Sequence, residues 1–365
     1  MTLGVVGGGQ LGRMLALAGV PLGLRFRFLD PAPDAPAGAA GELIVGAYDD
    51  PAALERFAAG LEAITYEFEN VPVEAARRLA GTLPVFPPPG ALAVSQDRLA
   101  EKAFFERLGV RVPAFRPVDD RGSLERSLAE LGYPAVLKTR RLGYDGKGQA
   151  VLRSPADRDS AWTRLGGVPL ILEAFVPCDR ELSVLAVRAR DGTVAVYPLI
   201  ENHQVAGILR WSRAPAPGVG STLQATAESY VRRVLEALDY VGVLAIECFE
   251  SGGRLLANEM APRVHNSGHW TIEGAETSQF ENHLRAGLGL PLGSIRPRGW
   301  SAMVNLIGNL PAPAGVLAVE GAHLHLYDKA PRAGRKLGHV TLRADDRDLL
   351  EARLGPVVDL ASRAG

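Results

Sequence analysis

Two glutamates near residue 250 are the side chains whose spacing most directly predicts chemistry. The runs LAIECFE and RLLANEM are short and apolar, and Ser251-Gly252-Gly253 between them predicts an antiparallel hairpin with a glycine-rich turn. Folding the chain about Gly253 places Glu247 opposite Glu259. The face that they share would also carry four apolar residues, Ala245, Phe249, Leu255 and Ala257.

Paired carboxylates on such a face favour a bound cation. They repel each other across the strands and lose hydration on an apolar surface. Mg²⁺ takes one or two protein carboxylates and completes its coordination with water and substrate phosphates. Arg263, His265 and Asn266 follow directly, and these polar groups could converge on a small anion beside the metal. The alternative is a register slip that turns one glutamate to solvent.

A glycine-rich turn near the N-terminus predicts a Rossmann-like unit. The predicted strand Leu3–Val6 is followed by G-x-G-x-x-G (Gly7–Gly12) and an apolar helix, and the next strand ends in Asp30. This is the dinucleotide pattern, in which helix N–H groups bind phosphate and the acidic residue binds a ribose. Glu67 and Glu69 end a later predicted strand, where open α/β sheets bind ligands; a solvated loop is the alternative.

A second glycine-rich loop lies between two predicted strands. Lys138 ends the first strand, and residues 140–149 read RRLGYDGKGQ. Bare backbone N–H groups with lysine charge suit a loop that closes over polyphosphate. It is not a Walker loop, because the G-x-x-x-x-G-K-[ST] pattern is absent and a strand follows. A mobile surface turn is the alternative.

Two further stretches carry charge in suggestive places. The apolar strand Leu170–Val176 contains Glu173, and Glu181 follows; an edge strand of this kind can offer backbone groups to adenine and a carboxylate to ribose. Near the C-terminus, four cations within eight residues predict a phosphate-binding loop, or alternatively a solvated basic turn. These cations are Lys329, Arg332, Arg335 and Lys336.

Composition limits the class of protein. A length of 365 residues predicts two or three domains, and 47% hydrophobic residues suffice for a sizeable core. The net charge of −1 gives no reason to invoke nucleic acid or membrane. Cys178 and Cys248 form no disulfide framework or zinc spacing, and neither a basic leader nor an eighteen-residue apolar run is present, so we expect a cytoplasmic protein.

Eight stretches of the sequence together resemble the ATP-grasp superfamily, and within it the ligases that carboxylate 5-aminoimidazole ribonucleotide. They are GGGQLGRML, TYEFENVP, QDRLAEK, LKTRRLGYDGKGQ, GILR, GVLAIECF, NEMAPRVHNSGHWT and YDKAPRAGRKLGH. The resemblance covers nearly the whole chain. It implies that ATP, bicarbonate and the ribonucleotide give the N5-carboxylated product, ADP and phosphate through carboxyphosphate, in de novo purine biosynthesis. It also implies Mg²⁺ as cofactor and a homodimer.

The resemblance implies an α/β fold with α+β character overall and three domains. The first is a Rossmann-like parallel sheet (residues 1–94). The second is an ATP-grasp domain (residues 95–289) that includes a lid at about residues 115–176. The third is a small C-terminal domain (residues 290–365).

Site residues are also implied by the resemblance. The implied metal ligands are Glu247 and Glu259. The implied ATP contacts are Arg98, Lys138, Gly143, Tyr144, Asp145, Gly146, Lys147, Gly148, Gln149, Glu173, Ala174, Phe175, Val176, Glu181, His203, Gln204, Asn258 and Glu259. Among these, Glu173 to Val176 would line adenine and Glu181 would bind ribose.

The remaining implied roles concern the acceptor. Bicarbonate would be held by Arg263, His265 and Asn266, with Tyr144 and either Glu67 or Glu69 near the reacting amine. The ribonucleotide would contact Gly9, Gln10 and Leu11, with its phosphate at Lys329, Arg332, Arg335 and Lys336.

One stretch departs from the family pattern. The family usually has Glu-Asn-x-His before the GIL stretch, whereas this chain has Glu201-Asn202-His203-Gln204. Because neighbouring residues of a strand face opposite ways, only one of His203 and Gln204 can meet the nucleotide. Three other functions stay open: another ATP-grasp ligase (a formate-dependent ribonucleotide transformylase or a biotin-carboxylase-like enzyme), an NAD-dependent dehydrogenase, and a non-catalytic nucleotide-binding regulator.

Overall fold

The N-terminal sheet has four parallel strands in the order β3-β2-β1-β4. The computed structural model describes residues 1–143 and 146–363. The elements of this part are β1 (Thr2–Val6), α1 (Gln10–Gly19), β2 (Arg25–Asp30), β3 (Glu42–Val45), α2 (Pro51–Ala58), β4 (Ala63–Tyr66), α3 (Val73–Ala80) and α4 (Pro89–Ser95). Because β1 and β4 are parallel neighbours, the glycine turn after β1 and Glu67 after β4 meet at one sheet edge.

A small antiparallel sheet, in the order β5-β8-β6-β7, follows in the chain. Its elements, with the helix before it, are α5 (Arg98–Arg107), β5 (Phe115–Val118), α6 (Arg121–Leu131), β6 (Ala135–Thr139), β7 (Gln149–Leu152), α7 (Arg158–Leu165) and β8 (Leu170–Ala174). Leu137 and Leu172 lie on one face and pack in a core with α6 and α7. Lys138 and Glu173 alternate with them, so they lie on the opposite face.

The largest sheet has nine strands within the described residues. The elements of this region are β9 (Arg180–Arg188), β10 (Val194–Val196), β11 (Ile200–Val205), β12 (Ile208–Ala214), α8 (Ser221–Ala237), β13 (Gly242–Ser251), β14 (Arg254–Ala261), α9 (Thr271–Gly274), α10 (Gln279–Leu288), β15 (Trp300–Ile307), α11 (Pro313–Leu317), β16 (Ala322–Leu326), β17 (Lys336–Ala344) and α12 (Arg347–Arg363). Strand β12 pairs with β15, so the C-terminal strands continue the central sheet. The predicted domain boundaries stay predictions.

The predicted hairpin is present, but one of its faces differs from expectation. Glu247 pairs with Glu259, and a β-bulge follows at once, since Cys248 pairs with Ala257. The extra residue, Asn258, shifts the alternation by one. The prediction that Leu255 and Ala257 share the face of the glutamates is therefore wrong. Both lie in the core of the opposite face, which packs against α8.

No helix in the described part of the chain is long and apolar enough to cross a membrane.

Candidate active site

The paired glutamates lie among polar and cationic side chains. Arg98 Nη1 donates to Glu259 Oε2 at 2.6 Å. His265 Nε2 lies 3.2 Å from Glu247 Oε1, and Gln204 Nε2 donates to Glu247 Oε2 at 3.3 Å. Burial raises the pKa of Glu247, but His265, Lys336 and Gln204 outweigh it and hold that pKa below its usual value. Glu247 therefore faces Glu259 across the strands as an ionised carboxylate.

The donor set fits a hard cation whose coordination is completed by a ligand. Within residues 1–143 and 146–363, no group of three or more His, Cys, Asp or Glu side chains is placed to hold a metal. Two glutamates suffice for Mg²⁺, which commonly keeps positions for water and phosphate oxygens. Glu181 is a third carboxylate on this face; burial, with Glu247 and Glu259, raises its pKa to about 7. Additional positive charge in this region would offset that repulsion.

Two buried lysines share one carboxylate beside the acidic pair. Lys138 Nζ donates to Glu173 Oε2 at 2.9 Å and to Asn258 Oδ1 at 3.4 Å. Lys102 Nζ lies 3.5 Å from the same Glu173 oxygen. Burial raises the pKa of Glu173, but Lys102 and Lys138 outweigh it and lower that pKa to about 2. Lys138 and Asn258 were both predicted to contact ATP, and the structure brings them together.

The predicted adenine edge needs a correction. Strand β8 is an interior strand, paired with β5 on one side and β6 on the other, so it is not an edge. The N–H of Ala174 already donates to Ala114 O, and that of Phe175 to Pro134 O. Glu173 directs one oxygen at the lysines, while its buried Oε1 has no partner in the described part of the chain. That oxygen can accept a hydrogen bond from a ligand. Contacts of Ala174, Phe175 and Val176 with adenine stay predictions.

The glycine-rich loop reaches both sheets. Arg98 Nη2 donates to Gly143 O at 3.3 Å, and Thr139 N donates to Gly148 O at 2.8 Å. Gly146 has φ of +73°, and a Cβ there would lie 2.5 Å from Ala206 O in the turn between β11 and β12. Two residues predicted to contact ATP, Tyr144 and Asp145, lie outside the described residues. The ATP contacts of Lys147 and Gln149 stay predictions.

The helix that carries Arg98 is anchored to the loop. Ser95 ends α4, and Asp97 is the N-cap of α5. Asp97 Oδ1 accepts from Leu99 N at 3.0 Å, and its carboxylate also accepts from Arg140 Nε and Nη2 at 3.0 and 2.6 Å. This fixes the start of α5 against the strand that bears Lys138.

The predicted bicarbonate group is only partly assembled. Arg263 Nε donates to Glu69 Oε2 at 2.5 Å, and His265 is buried against Glu247. Asn266 differs: its Nδ2 donates to Asn305 Oδ1 at 3.0 Å, and its Oδ1 accepts from Asn305 Nδ2 at 2.7 Å. In this structure both polar atoms of the Asn266 amide are used by the protein. Its contact with bicarbonate stays a prediction.

Carboxylates of the protein itself accept hydrogen bonds from the backbone N–H groups of the N-terminal glycine turn. Glu67 accepts from Gly9 N at 2.5 Å and from Gly12 N at 2.7 Å, which are the donors a phosphate would need. Asp30 accepts from Gly8 N at 2.8 Å and from Tyr48 OH at 2.9 Å. The N–H groups of the turn and the acidic residue of the dinucleotide pattern, Asp30, thus already have partners within the protein. Burial raises the pKa of Glu67, although these two N–H groups oppose the shift.

The C-terminal basic loop meets this turn. Lys329 Nζ donates to Gln10 Oε1, joining residues from opposite ends of the chain. Burial lowers the pKa of Lys329, with Glu67 acting in the opposite sense. Arg335 Nη1 donates to Ala330 O at 3.2 Å, which closes the loop. Lys336 acts electrostatically on Glu247, while Arg332 is exposed. The structure therefore places the glycine turn, the basic loop and the acidic pair around one region.

The structure decides between His203 and Gln204. Gln204 contacts Glu247, whereas His203 is exposed and stacks on Trp211 at 4.8 Å between ring centroids. The prediction that His203 binds the nucleotide is therefore not supported, because its ring lies on the other face of β11.

Sequence reasoning missed several residues that hold the site in place. Gln279 is fully buried, and its amide clamps the His265 backbone: it accepts from His265 N at 2.8 Å and donates to His265 O at 2.7 Å. Glu101, also buried, accepts from Met260 N at 2.7 Å. Lys102 could have been found from its spacing, since it lies one helical turn beyond Arg98 on the same face. No local signal marked Gln279.

Three domain families match the chain. They are the ribonucleotide synthetase preATP-grasp domain over residues 1–96, the ATP-grasp domain over residues 103–280, and the phosphoribosylaminoimidazole carboxylase C-terminal domain over residues 301–353. A protein of Pseudomonas aeruginosa called N5-carboxyaminoimidazole ribonucleotide synthase is 56% identical over 357 residues, which covers 98% of each chain.

Solved structures agree with this sequence relationship. The N5-carboxyaminoimidazole ribonucleotide synthetase of Thermus thermophilus is 64% identical, with a TM-score of 0.95 and 98% of each chain covered. A synthase of Aspergillus clavatus in complex with ADP and 5-aminoimidazole ribonucleotide is 32% identical, with a TM-score of 0.92 and coverage of 99% of this chain and 98% of that one. The chain belongs to the N5-carboxyaminoimidazole ribonucleotide synthase family of ATP-grasp ligases.

Proposed function

We propose that the chain uses ATP and bicarbonate to carboxylate 5-aminoimidazole ribonucleotide, releasing ADP and phosphate. One observation carries the proposal: Arg98 bridges Glu259 at 2.6 Å and the glycine loop at Gly143 O at 3.3 Å, while the other glutamate contacts His265. A phosphate-binding loop, an acidic pair and an anion-binding group thus lie side by side. The names of the relatives, and the ADP and ribonucleotide in the Aspergillus clavatus structure, support the same substrates.

The acidic pair supports Mg²⁺ as the cofactor. Glu247 and Glu259 would hold the ion, which would neutralise phosphate charge when bound. Lys138 and Arg98 would contact the phosphates, because their cationic ends already reach the hairpin at Asn258 and Glu259. Charge-assisted contacts and positioning would supply most of the acceleration, as in other phosphoryl transfers.

The first step activates bicarbonate. An oxygen of bicarbonate attacks the γ-phosphorus, the bond to the ADP oxygen breaks, and carboxyphosphate forms. We place bicarbonate at Arg263 and His265. Glu69 and the Val264 carbonyl engage two nitrogens of Arg263, so the fork geometry of the guanidinium is fixed for an anion. With its proton on Nε2, His265 donates to Glu247, while Nδ1 pairs with Ser267 Oγ at 2.8 Å.

The second step transfers the carboxyl group. The amine nitrogen of the ribonucleotide attacks the carboxyl carbon, phosphate leaves, and the nitrogen loses a proton. Glu67 is the carboxylate that we place near this amine, since burial raises its pKa and so increases its basicity. Tyr144 is proposed for the same region from the family resemblance.

The ribonucleotide would lie between the glycine turn and the basic loop. Glu67 already occupies the N–H groups of Gly9 and Gly12, so the turn is closed to a phosphate. The phosphate would instead bind Lys329, Arg332, Arg335 and Lys336, with the base toward Gly9, Gln10 and Leu11. The occupied turn also disfavours the NAD-dependent dehydrogenase, because a pyrophosphate would have to displace a buried carboxylate.

An ADP-release assay tests the function. Release should require both bicarbonate and 5-aminoimidazole ribonucleotide, and the carboxylated product should appear in equal amount. Formate in place of bicarbonate is the control for a transformylase, and neither acceptor supporting turnover would indicate a nucleotide-binding regulator. Release without the ribonucleotide, or with formate, would contradict the proposal. A homodimer and a cytoplasmic location remain predictions.

A further inference from the structure

Lys102 is a fully buried cation to which the proposed reaction gives no role. Its exposed fraction is 0%, and its Nζ lies 3.5 Å from Glu173 Oε2 and donates to Ala257 O at 3.3 Å. Glu173 belongs to the small sheet and Ala257 to the acidic hairpin. The ammonium of Lys102 therefore joins the two sheets at the place where Lys138 meets Asn258.

Lysine is rare in this chain. Of its 40 cationic residues, five are lysines and 35 (40 − 5) are arginines. The lysines are Lys102, Lys138, Lys147, Lys329 and Lys336. The other four lie in the glycine-loop, phosphate or ribonucleotide regions described above. An ammonium is a compact point charge, whereas a guanidinium is a wider planar fork, so the two are not interchangeable at a fully buried position.

Glu173 has two cations where one would neutralise it. Lys138 lies closer, at 2.9 Å, and binds the same oxygen as Lys102. If Lys138 were the sole partner, its movement to a phosphate would leave a buried carboxylate without a counter-ion, which is strongly unfavourable. With Lys102 in place, Glu173 keeps one cation when Lys138 leaves. Arg98 and Glu101 also face this group, and Arg98 is already bound to Glu259.

We propose that Lys102 is a positioning residue: it is the permanent counter-ion of Glu173, and it thereby allows Lys138 to exchange Glu173 for a phosphate of ATP. The inference rests on the proposed function only in taking ATP as the nucleotide. Lys102 itself contacts the carboxylate, and it acts on the nucleotide through Lys138.

The test measures binding of a non-hydrolysable ATP analogue with Mg²⁺ to the full chain by titration calorimetry. In Lys102→Met, Glu173 retains Lys138 as its one lysine partner, so we expect the analogue to bind at least about tenfold more weakly. In the double variant Lys102→Met/Glu173→Gln, no carboxylate is left at this position to hold Lys138, so the analogue should bind within about threefold of its affinity for Glu173→Gln alone. Ribonucleotide affinity should stay unchanged in both variants.

A merely structural Lys102 predicts a different pattern. The ATP analogue and the ribonucleotide would then both bind more weakly. Lys102→Met would also weaken binding of the analogue by the same factor with Glu173→Gln present as without it. Either result, or unchanged analogue binding in Lys102→Met, would overturn the proposal. The titration with the ATP analogue contains neither bicarbonate nor ribonucleotide. A chain that binds the analogue but does not carboxylate the ribonucleotide would therefore refute the proposed reaction and leave this test unaffected.

A second measurement does not depend on the folding of Lys102→Met. Five lysines allow a wild-type chain labelled with ¹³C at lysine Cε to be followed by NMR. The Lys138 and Lys102 signals are assigned from Lys138→Ala and Lys102→Arg. On adding the analogue and Mg²⁺, the Lys138 signal should move and the Lys102 signal should keep its position. Movement of both signals, or of Lys102 alone, would contradict the exchange.

Discussion

Glu67 and Glu69 are separated by one residue, yet they have opposite electrostatic environments. Glu67 is buried against the glycine turn, and burial raises its pKa. Burial acts in the same sense on Glu69, but Arg263 outweighs it and lowers the pKa of Glu69 to about 2. One strand end thus supplies a more basic carboxylate, which we place near the amine, and a second carboxylate that is ionised at neutral pH and bonds to an arginine. We therefore propose a role in the site for both residues, where the sequence suggested only one.

The acidic pair gives the first residue-level prediction. Glu259→Gln removes one carboxylate from the proposed Mg²⁺ site, so we expect Mg²⁺-dependent ADP release to be abolished while the chain stays folded. Turnover over a range of Mg²⁺ concentrations, together with circular dichroism, checks this. Glu236→Gln, at an exposed position of α8, is the matched control. Near-normal turnover of Glu259→Gln would remove this residue as a ligand.

The Glu69–Arg263 pair gives a prediction about pH. The pKa of Glu69 is lowered in the folded chain, so its stabilising effect is present above about pH 4.5 and is lost as the pH falls toward 2. Because the Glu69 side chain is 29% exposed, we expect Glu69→Gln to cost only about 1–3 kcal/mol at pH 7. Urea unfolding at pH 7, 5 and 3 should show the difference from wild type shrinking on acidification. A difference that grows would contradict the assignment.

At the scale of elements, two antiparallel units bring their charged faces together. The hairpin β13–β14 presents Glu247 and Glu259, and the bulge at Asn258 turns this amide toward Lys138 at 3.4 Å. The small sheet uses Leu137 and its neighbours for its own core and presents Lys138 on the other face. Helix α5 lies at the junction and contributes Arg98 and Lys102.

The small sheet is tested through Lys138. Lys138→Ala removes a charge-assisted contact with the nucleotide, so the KM for ATP should rise by the equivalent of about 1–3 kcal/mol. The KM for the ribonucleotide should stay constant, because its proposed site lies at the other sheet edge. Arg126→Ala, at an exposed position of α6 in the same unit, controls for general effects. Unchanged kinetics for ATP would reject the role of Lys138.

At the scale of the whole molecule, the proposed ribonucleotide site combines distant parts of the chain. The contact of Lys329 with Gln10 spans 319 residues of sequence. The C-terminal strands join the central sheet through β12 and β15, and this carries the basic loop to the N-terminal glycine turn. Neither the glycine turn nor the basic loop alone offers both a cation for the phosphate and a surface for the base of the ribonucleotide.

This arrangement predicts separable effects on the two substrates. Arg335→Ala should raise the KM for the ribonucleotide and leave the KM for ATP unchanged, because it removes a phosphate contact from the basic loop alone. Steady-state kinetics with each substrate varied in turn measure the split. Arg254→Ala, exposed at the start of β14, is the control. A selective rise for ATP would show that the basic loop has been assigned to the wrong substrate.

The local sequence pattern was sufficient to predict the hairpin on which the site is built. Alternating apolar residues around a glycine turn determined the hairpin and the pairing of Glu247 with Glu259, which the register confirms. These features depend on side-chain periodicity and turn geometry, which are local properties of a sequence.

Only the tertiary structure decided which partners the polar groups take. Glu67 fills the glycine turn in which the sequence pattern predicted a phosphate, and the Asn266 amide bonds to Asn305. The proposed role of Lys102, on α5, depends on its contact with Glu173, a residue of the small sheet. The physical reason is common to all three: a buried polar group must be paired, and its partner is chosen by packing between elements far apart in the chain.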